Sequence, residues 1–171
     1  MRTKNPFSDL NGFELSLWIA SVLVCIGAYI FSGGGDRLTL VSSLIGVTAL
    51  IFVSKGYVLG QVLTVVFAVF YGIVSFFFRY YGEMITYLCM TAPIAALSVI
   101  SWLRHPYKNT KEVKVAHLTK KQLAVMVILA VLVTIIFYFI LGALGNANMF
   151  FSTISITTSF IASYLTFYRS P

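Results

Sequence analysis

The feature that most constrains this chain is the recurrence of long apolar stretches separated by short polar ones. Six of them occur, at 13–32, 38–54, 57–80, 84–103, 122–144 and 147–168. Each has about the length a helix rising 1.5 Å per residue needs to cross roughly 30 Å of hydrocarbon. Composition agrees. Of 171 residues, 59% are apolar or aromatic and 10% are charged, and the mean hydropathy is +0.93. A soluble domain carries about 25% charged residues because its surface must be solvated. Twelve basic and five acidic residues cannot solvate a globule of this size. A soluble enzyme, a secreted disulfide module and a disordered chain are therefore excluded, leaving an all-α polytopic membrane bundle of six transmembrane helices, read as one domain over 1–171. The stretches lack the alternation of a barrel, and lipid cannot satisfy open backbone.

Local signals set the expected boundaries. Gly33-Gly34-Gly35-Asp36 stops the first helix, Lys55-Gly56 separates the second from the third, and Gly145-Asn146 divides the fifth from the sixth. Tyr81-Gly82-Glu83 is expected to turn the chain before the fourth helix. Thr119 and Gln122 have capping-box spacing at the start of the fifth. Pro93, inside Met90-Thr91-Ala92-Pro93, frees a carbonyl and predicts a kink. The stretch 13–32 is longer than the 7–15-residue core of a signal peptide and lacks a small-x-small cleavage site, so it reads as a permanent first span. Cys25 and Cys89 lie in apolar runs and read as buried free thiols.

Charge placement orients the chain. With a cytoplasmic N-terminus, one side collects Arg2, Lys4, Lys55, Arg104, Lys108, Lys111, Lys114, Lys120, Lys121 and Arg169, and the other only Arg37 and Arg79. By the positive-inside rule both termini are cytoplasmic in a cell membrane. The net charge of +7 thus serves topology, with no nucleic-acid partner implied. The loop 104–121 reads as a basic topogenic segment near anionic headgroups; docking of a cytoplasmic partner is the sharper alternative. His105 and His117 in that loop lack Cys or carboxylate partners at metal spacing, and no metal or cofactor is expected.

The interior is where function is sought, because an ionisable group inside the bilayer is a functional candidate by default. Glu14, Arg79 and Glu83 fall at span ends and no ionisable residue falls near a helix centre. A proton relay is thus unsupported, as is an enzyme, which needs a nucleophile–base pair or metal ligands. The polar groups that enter the membrane are neutral and follow helical spacing. Gln61, Thr64, Ala68, Tyr71 and Ser75 share one face of the third span; Thr39, Ser42, Gly46 and Ala49 form a similar stripe in the second; Ser152, Ser155, Ser159, Ala162 and Thr166 share a face of the sixth. Such stripes usually serve helix packing. Gln61 and Tyr71 ask for more, since a buried amide has four hydrogen-bonding sites to satisfy; with Thr64 they are candidates for a path taken by a small polar molecule. Tyr57, Tyr80, Tyr81 and Trp102 fit interfacial belts. Phe67, Phe70, Phe76, Phe77 and Phe78 lie deeper, where a ring can stack on a flat ligand or attract a cation.

Several strings carry further. Ser43-Leu-Ile-Gly-Val-Thr-Ala-Leu-Ile-Phe-Val-Ser-Lys-Gly56 leads to Gly60-Gln61 and Phe67-Ala-Val-Phe-Tyr-Gly72. Then come Tyr80-Tyr-Gly-Glu-Met-Ile-Thr-Tyr87, Ile100-Ser-Trp-Leu-Arg-His-Pro106 and Glu112-Val-Lys-Val. In that order they resemble the PnuC family of nicotinamide riboside transporters, over nearly the whole chain. The resemblance implies a SWEET-like fold of two parallel three-helix bundles joined by a linker helix. Here 13–32 is an extra leading helix, 38–103 the first bundle, 104–121 the basic cytoplasmic loop, 122–144 the linker, and 147–171 the opening of an incomplete second bundle. It also implies facilitated uptake of nicotinamide riboside, an NAD precursor, trapped afterwards by a cytoplasmic kinase in the same pathway. Substrate contacts carry over to Gln61, Phe67, Tyr71 and Trp102, with Thr64 beside them. Similar members continue for about two more helices past the point where this sequence ends, at Arg169-Ser170-Pro171. A fragment is therefore expected, the alternative being a homo-oligomer whose copies complete the bundle. The sequence leaves open a related vitamin such as thiamine or riboflavin, and a membrane scaffold that transports nothing.

Overall fold

The computed structural model describes residues 6–34, 36–108, 110, 112–145 and 149–170; Arg2, Lys4, Gly35, Lys111, Asn146 and Pro171, invoked above, lie outside the described residues. A short 3-10 turn (Pro6–Asp9) precedes α1 (Gly12–Phe31), α2 (Arg37–Ser54) and α3 (Val58–Phe77). The fourth span is composite: α4 (Tyr81–Ile85), a π-helical turn (Thr86–Thr91) and α5 (Ala92–Leu103). It is followed by α6 (Lys120–Ala143) and α7 (Met149–Phe167). Among the described residues, five helical stretches are long and apolar enough to cross a membrane: α1, α2, α3, Tyr81–Leu103 and α6. The sixth expected span is α7, a 19-residue helix rich in Ser and Thr and not among those five.

The helix ends follow from side chains that satisfy the orphan backbone groups of a helix terminus. Asp36 accepts from the N–H groups of Leu38 and Thr39 at 3.1 and 3.2 Å and so starts α2. The predicted Thr119–Gln122 capping box is present: Gln122 N–H donates to Thr119 Oγ1 at 3.3 Å, and Thr119 N–H to Gln122 Oε1 at 2.9 Å. Gly56 closes α2 with φ +71°.

Three expectations are corrected, the third, for Cys89, with the packing below. Tyr81-Gly82-Glu83 is the first turn of α4, and the chain reverses earlier, at Phe78-Arg79-Tyr80. There Arg79 takes the left-handed conformation (φ 61°); its N–H donates to Phe76 O at 3.1 Å and the Tyr80 N–H to Ser75 O at 2.8 Å. These bonds satisfy the last carbonyls of α3, which outweighs the cost of a non-glycine residue at positive φ. Gly82 is needed for packing instead, because a Cβ there would lie 2.7 Å from Leu141 Cδ2. The second correction concerns aromatic belts. Tyr57 and Trp102 are buried, 6% and 4% exposed, and each is tied to a distant partner. Tyr57 donates its hydroxyl to Asp9 at 3.3 Å. The Trp102 indole donates to the Thr166 carbonyl at 2.9 Å.

The discontinuity expected at Pro93 takes the form of the π-helical turn just before it. Proline has no N–H and crowds the carbonyl four residues back, so widening the preceding turn relieves both problems. Thr86 and Thr91 add side-chain bonds along this turn, Thr86 Oγ1 to Gly82 O at 2.8 Å and Thr91 Oγ1 to Thr86 O at 3.3 Å.

Packing centres on α3, which lies against α2 and α5. The approach of α2 is close enough that a Cβ on Gly60 would sit 2.3 Å from the Val53 backbone nitrogen. A separate core joins α6, α7 and the π-helical turn through Met90, Met126, Phe137, Leu141, Ile156 and Phe160, with a Thr134–Thr157 hydroxyl bond of 2.7 Å between the two helices. Helix α1 contributes no buried residue and is held at one end, by a Glu14–Lys55 salt bridge of 2.9 Å and the Trp18 indole on Thr48 Oγ1 at 3.2 Å. Cys25 and Cys89 are free, the former half-buried and the latter exposed on its helix surface rather than buried as read from sequence.

The described residues of the loop after α5 lie across one end of the bundle. Its two limbs pair through Tyr107 N–H to Glu112 O at 2.8 Å and Lys114 N–H to His105 O at 2.9 Å. Val113 N–H then donates to Gly56 O at the end of α2 (2.8 Å), and Ala116 N–H to Arg169 O at the end of α7 (3.0 Å). One strap thereby ties together the C-termini of two helices that run in the same direction.

Gly60→Ala should lower the thermal midpoint of the detergent-solubilised protein by several degrees, an overpacking cost of about 1–3 kcal/mol. Gly27→Ala is the control, because a Cβ there meets nothing within 4 Å; its midpoint should not fall.

Candidate translocation cavity

At the end of the bundle opposite the strap, α3, α4, the π-helical turn, α6 and α7 enclose a cavity of about 670 Å³. That volume suits a small organic ligand. Three sets of side chains line it. Tyr71, Tyr87, Thr86 and Thr91 come from α3 and the π-helical turn. Arg79, Tyr80, Tyr81 and Glu83 come from the reversal between α3 and α4. Ser152, Ser155 and Ser159 come from α7.

Helical geometry explains the convergence. Ser152, Ser155 and Ser159 are spaced by three and four, which puts them on one face of α7. Thr86 sits three residues beyond Glu83 and Tyr87 four beyond it, so a second polar stripe faces the first across the opening. Tyr71 and Tyr87 meet with ring centroids 4.6 Å apart at 61°, and Phe67 packs on both at 5.6 Å. Glu83 lines the same cavity as Tyr71 and Tyr87. Among the described residues, no group of three or more His, Cys, Asp or Glu is arranged to hold a metal ion.

The five residues singled out from sequence do not form one cluster. Tyr71 lines the cavity and Phe67 supports it from behind. Thr64 donates its hydroxyl to Gly60 O at 2.9 Å. Gln61 is buried, 3% exposed; ten residues before Tyr71 on α3, it lies about 15 Å further along the helix axis, in the half nearer the strap. Trp102 is at the strap end as well, and with Ser101, which donates to Phe167 O at 3.1 Å, it satisfies the terminal carbonyls of α7. Its N–H is thus committed within the chain.

Sequence reasoning missed the cavity's polar rim. By position alone Glu83 and Arg79 look like span-end charges, and the spacing of Ser152, Ser155 and Ser159 reads as helix packing. The available signal was the pairing of two stripes: Glu83, Thr86 and Tyr87 on one span and the serines on another are both polar at helical spacing.

Comparison with known proteins decides the family. The nicotinamide mononucleotide transporter family model matches residues 36–171. The chain belongs to this family. The family is one of transporters, not enzymes, and the chain is accordingly a multi-pass membrane protein. Among curated relatives, the nicotinamide riboside transporter PnuC of Neisseria mucosa is 27% identical over 168 residues, covering 95% of this chain and 63% of the relative. The chain thus spans less than two thirds of that protein's length. The crystal structure of the vitamin B3 transporter PnuC superposes with a TM-score of 0.76 at 24% identity, over 96% of this chain and 71% of that one; the fold is shared. The match to the family begins at Asp36, so α1 lies before it.

If the cavity is open to water, Ser155→Cys in a Cys25→Ala, Cys89→Ala background should react with a hydrophilic maleimide in detergent. Ser98→Cys, at a position 1% exposed, should react at least about tenfold more slowly, as a buried thiol does.

Proposed function

We propose that this chain belongs to a facilitator that carries nicotinamide riboside across the cell membrane, with both termini on the cytoplasmic side. The observation that carries the reading is the cavity itself, in which tyrosine rings and a carboxylate stand opposite a row of hydroxyls. Nicotinamide riboside is a flat pyridinium cation joined to a ribose. Aromatic faces suit the ring, and Ser and Thr hydroxyls suit the sugar. The family supports the assignment, and so does the name of the Neisseria mucosa relative.

The domain plan proposed with it takes α2, α3 and the composite fourth span as one three-helix bundle, α6 as the linker, and α7 as the opening helix of a parallel second bundle. In support, α2 and α7 both end in a residue of positive φ, Gly56 and Arg169, whose carbonyl accepts a bond from the same strap. That is the equivalence a parallel repeat requires. Orientation has support of the same kind: Lys55, Arg104, Lys108, Lys114, Lys120, Lys121 and Arg169 gather at the strap end, and Arg37 and Arg79 at the other. The cavity then opens outward, and Gln61 and Thr64 mark the inner half of the path, with Phe67 and Tyr71 further out and Trp102 at the inner end. Passage needs no coupling carboxylate inside the bilayer. A cytoplasmic kinase that phosphorylates the riboside would make uptake one-way.

Uptake of radiolabelled nicotinamide riboside into proteoliposomes tests the function, with thiamine and riboflavin as competitors. Saturable uptake that neither vitamin inhibits is expected; uptake no faster than in protein-free vesicles would refute transport by this chain. Gln61→Ala should weaken the riboside about tenfold, the loss of a hydrogen bond worth roughly 1.4 kcal/mol. Ser16→Ala on α1, where the hydroxyl only bonds Phe13 O, should leave it unchanged. Equal loss in both variants would remove Gln61 from the path.

A further inference from the structure

We infer that Glu83 is the specificity-determining residue of the cavity, selecting a ligand ring that carries positive charge over the same ring uncharged. This rests on reading the cavity as the substrate path and adds to it the basis of discrimination.

Three observations carry the inference. First, Glu83 lines the cavity with Tyr71, Tyr80, Tyr81 and Tyr87, and is the sole carboxylate among its lining residues. A carboxylate beside several ring faces is the chemistry that recognises an organic cation, since both present negative potential to it. Second, among the described residues the carboxylate has no cationic partner: the salt bridge there is Lys55–Glu14. Arg79, the other ionic group of the lining, is exposed in the turn preceding α4 and forms no ion pair with Glu83. An exposed carboxylate without an ion-pair partner is free to attract a ligand cation that enters the cavity. Third, the aromatic groups of the cavity are clustered beside this position. Tyr71 and Tyr87 meet with ring centroids 4.6 Å apart at 61°, and Tyr87 lies one turn beyond Glu83 on the same span. These rings are uncharged, so the negative charge of the lining is that of Glu83. Discrimination of this kind acts on charge and leaves shape to the hydroxyl wall.

The experiment uses the full chain in lipid nanodiscs and two ligand pairs that differ in charge at the ring. One pair is nicotinamide riboside and its uncharged dihydro form; the other is the 1-methylnicotinamide cation and neutral nicotinamide. Titration calorimetry on the wild type and on Glu83→Gln and Glu83→Asp gives the ratio of cation to neutral affinity. Glu83→Gln should lower affinity for both cations about tenfold and leave both neutral compounds unchanged. Glu83→Asp should keep most of the preference, and a thermal midpoint unchanged in both variants shows that folding is not the cause. The inference is overturned if Glu83→Gln weakens the charged and neutral member of each pair alike, if it weakens neither, or if the wild type shows no preference for the cations. Its failure is separable from that of the transport reading. A chain that binds 1-methylnicotinamide through Glu83 yet moves no riboside refutes transport and upholds the charge selection. Riboside uptake with unchanged discrimination in Glu83→Gln does the reverse. Binding of none of the four compounds overturns both.

Discussion

Every polar group that enters hydrocarbon must bring its own partner, and the structure is organised around that requirement. Helices satisfy the backbone within themselves. Side-chain hydroxyls are then spent locally: Ser42 on Leu38 O, Thr48 on Leu44 O, Ser98 on Ile94 O and Thr153 on Met149 O, each at 2.7–2.8 Å. These back-bonds let small polar residues sit at helix contacts without exposing unpaired groups to lipid. What they do not do is hold one helix to another. That falls to small side chains, as at Gly60 and Gly72, where α3 meets Val53 and Leu88 with no room for a Cβ, and to a few bonds between helices, such as Thr134–Thr157 and Trp18–Thr48.

The same requirement acts at the helix ends, and there it gives the molecule its two unlike poles. At one pole the terminal carbonyls of α2 and α7 take protein donors, from the strap residues Val113 and Ala116 and from Ser101 and Trp102. At the other, the reversal after α3 is closed by Arg79 at positive φ, and the groups around it face open space. One pole is thus closed and basic and the other open and aromatic. The π-helical turn lies beside the open pole and supplies Tyr87 and Thr91 to the cavity. Its extra residue per turn re-aims side chains that a straight α-helix would place elsewhere.

How far these features were legible in the sequence depends on the range of the interaction behind each. Six helices and most of their limits follow from apolar length, from glycine-containing breaks and from the cap at Thr119, and these agree with the structure; the cap supplied by Asp36 is seen only in the structure. The reversal at Arg79 was displaced by a few residues because glycine was the natural reader of a positive φ, and the glycine at 82 serves close packing with Leu141 instead. Tyr57 and Trp102 looked interfacial because amphipathic rings near span ends usually are. Their partners, Asp9 and Thr166, are 48 and 64 residues away, and no local pattern announces such pairings. The serine stripe of α7 was visible as periodicity. Whether it packs on a helix or faces a void depends on what stands opposite, and that is a property of the fold.

This explains why the third span was readable and the cavity was not. On α3 polar and small residues alternate along one face with buried Gln61, Ala68 and Ser75, so a single helix betrays an interior. The cavity has no such owner. It is built where two stripes on separate spans, each weak alone, approach across the gap left by the reversal at Arg79. A charge at the end of a span normally reaches for water or headgroups and signifies little. Glu83 has the same sequence signature, but it lines the cavity together with three hydroxyls of α7. Its surroundings are set by the chain's return at Ser152, Ser155 and Ser159, a separation that packing bridges and local pattern does not.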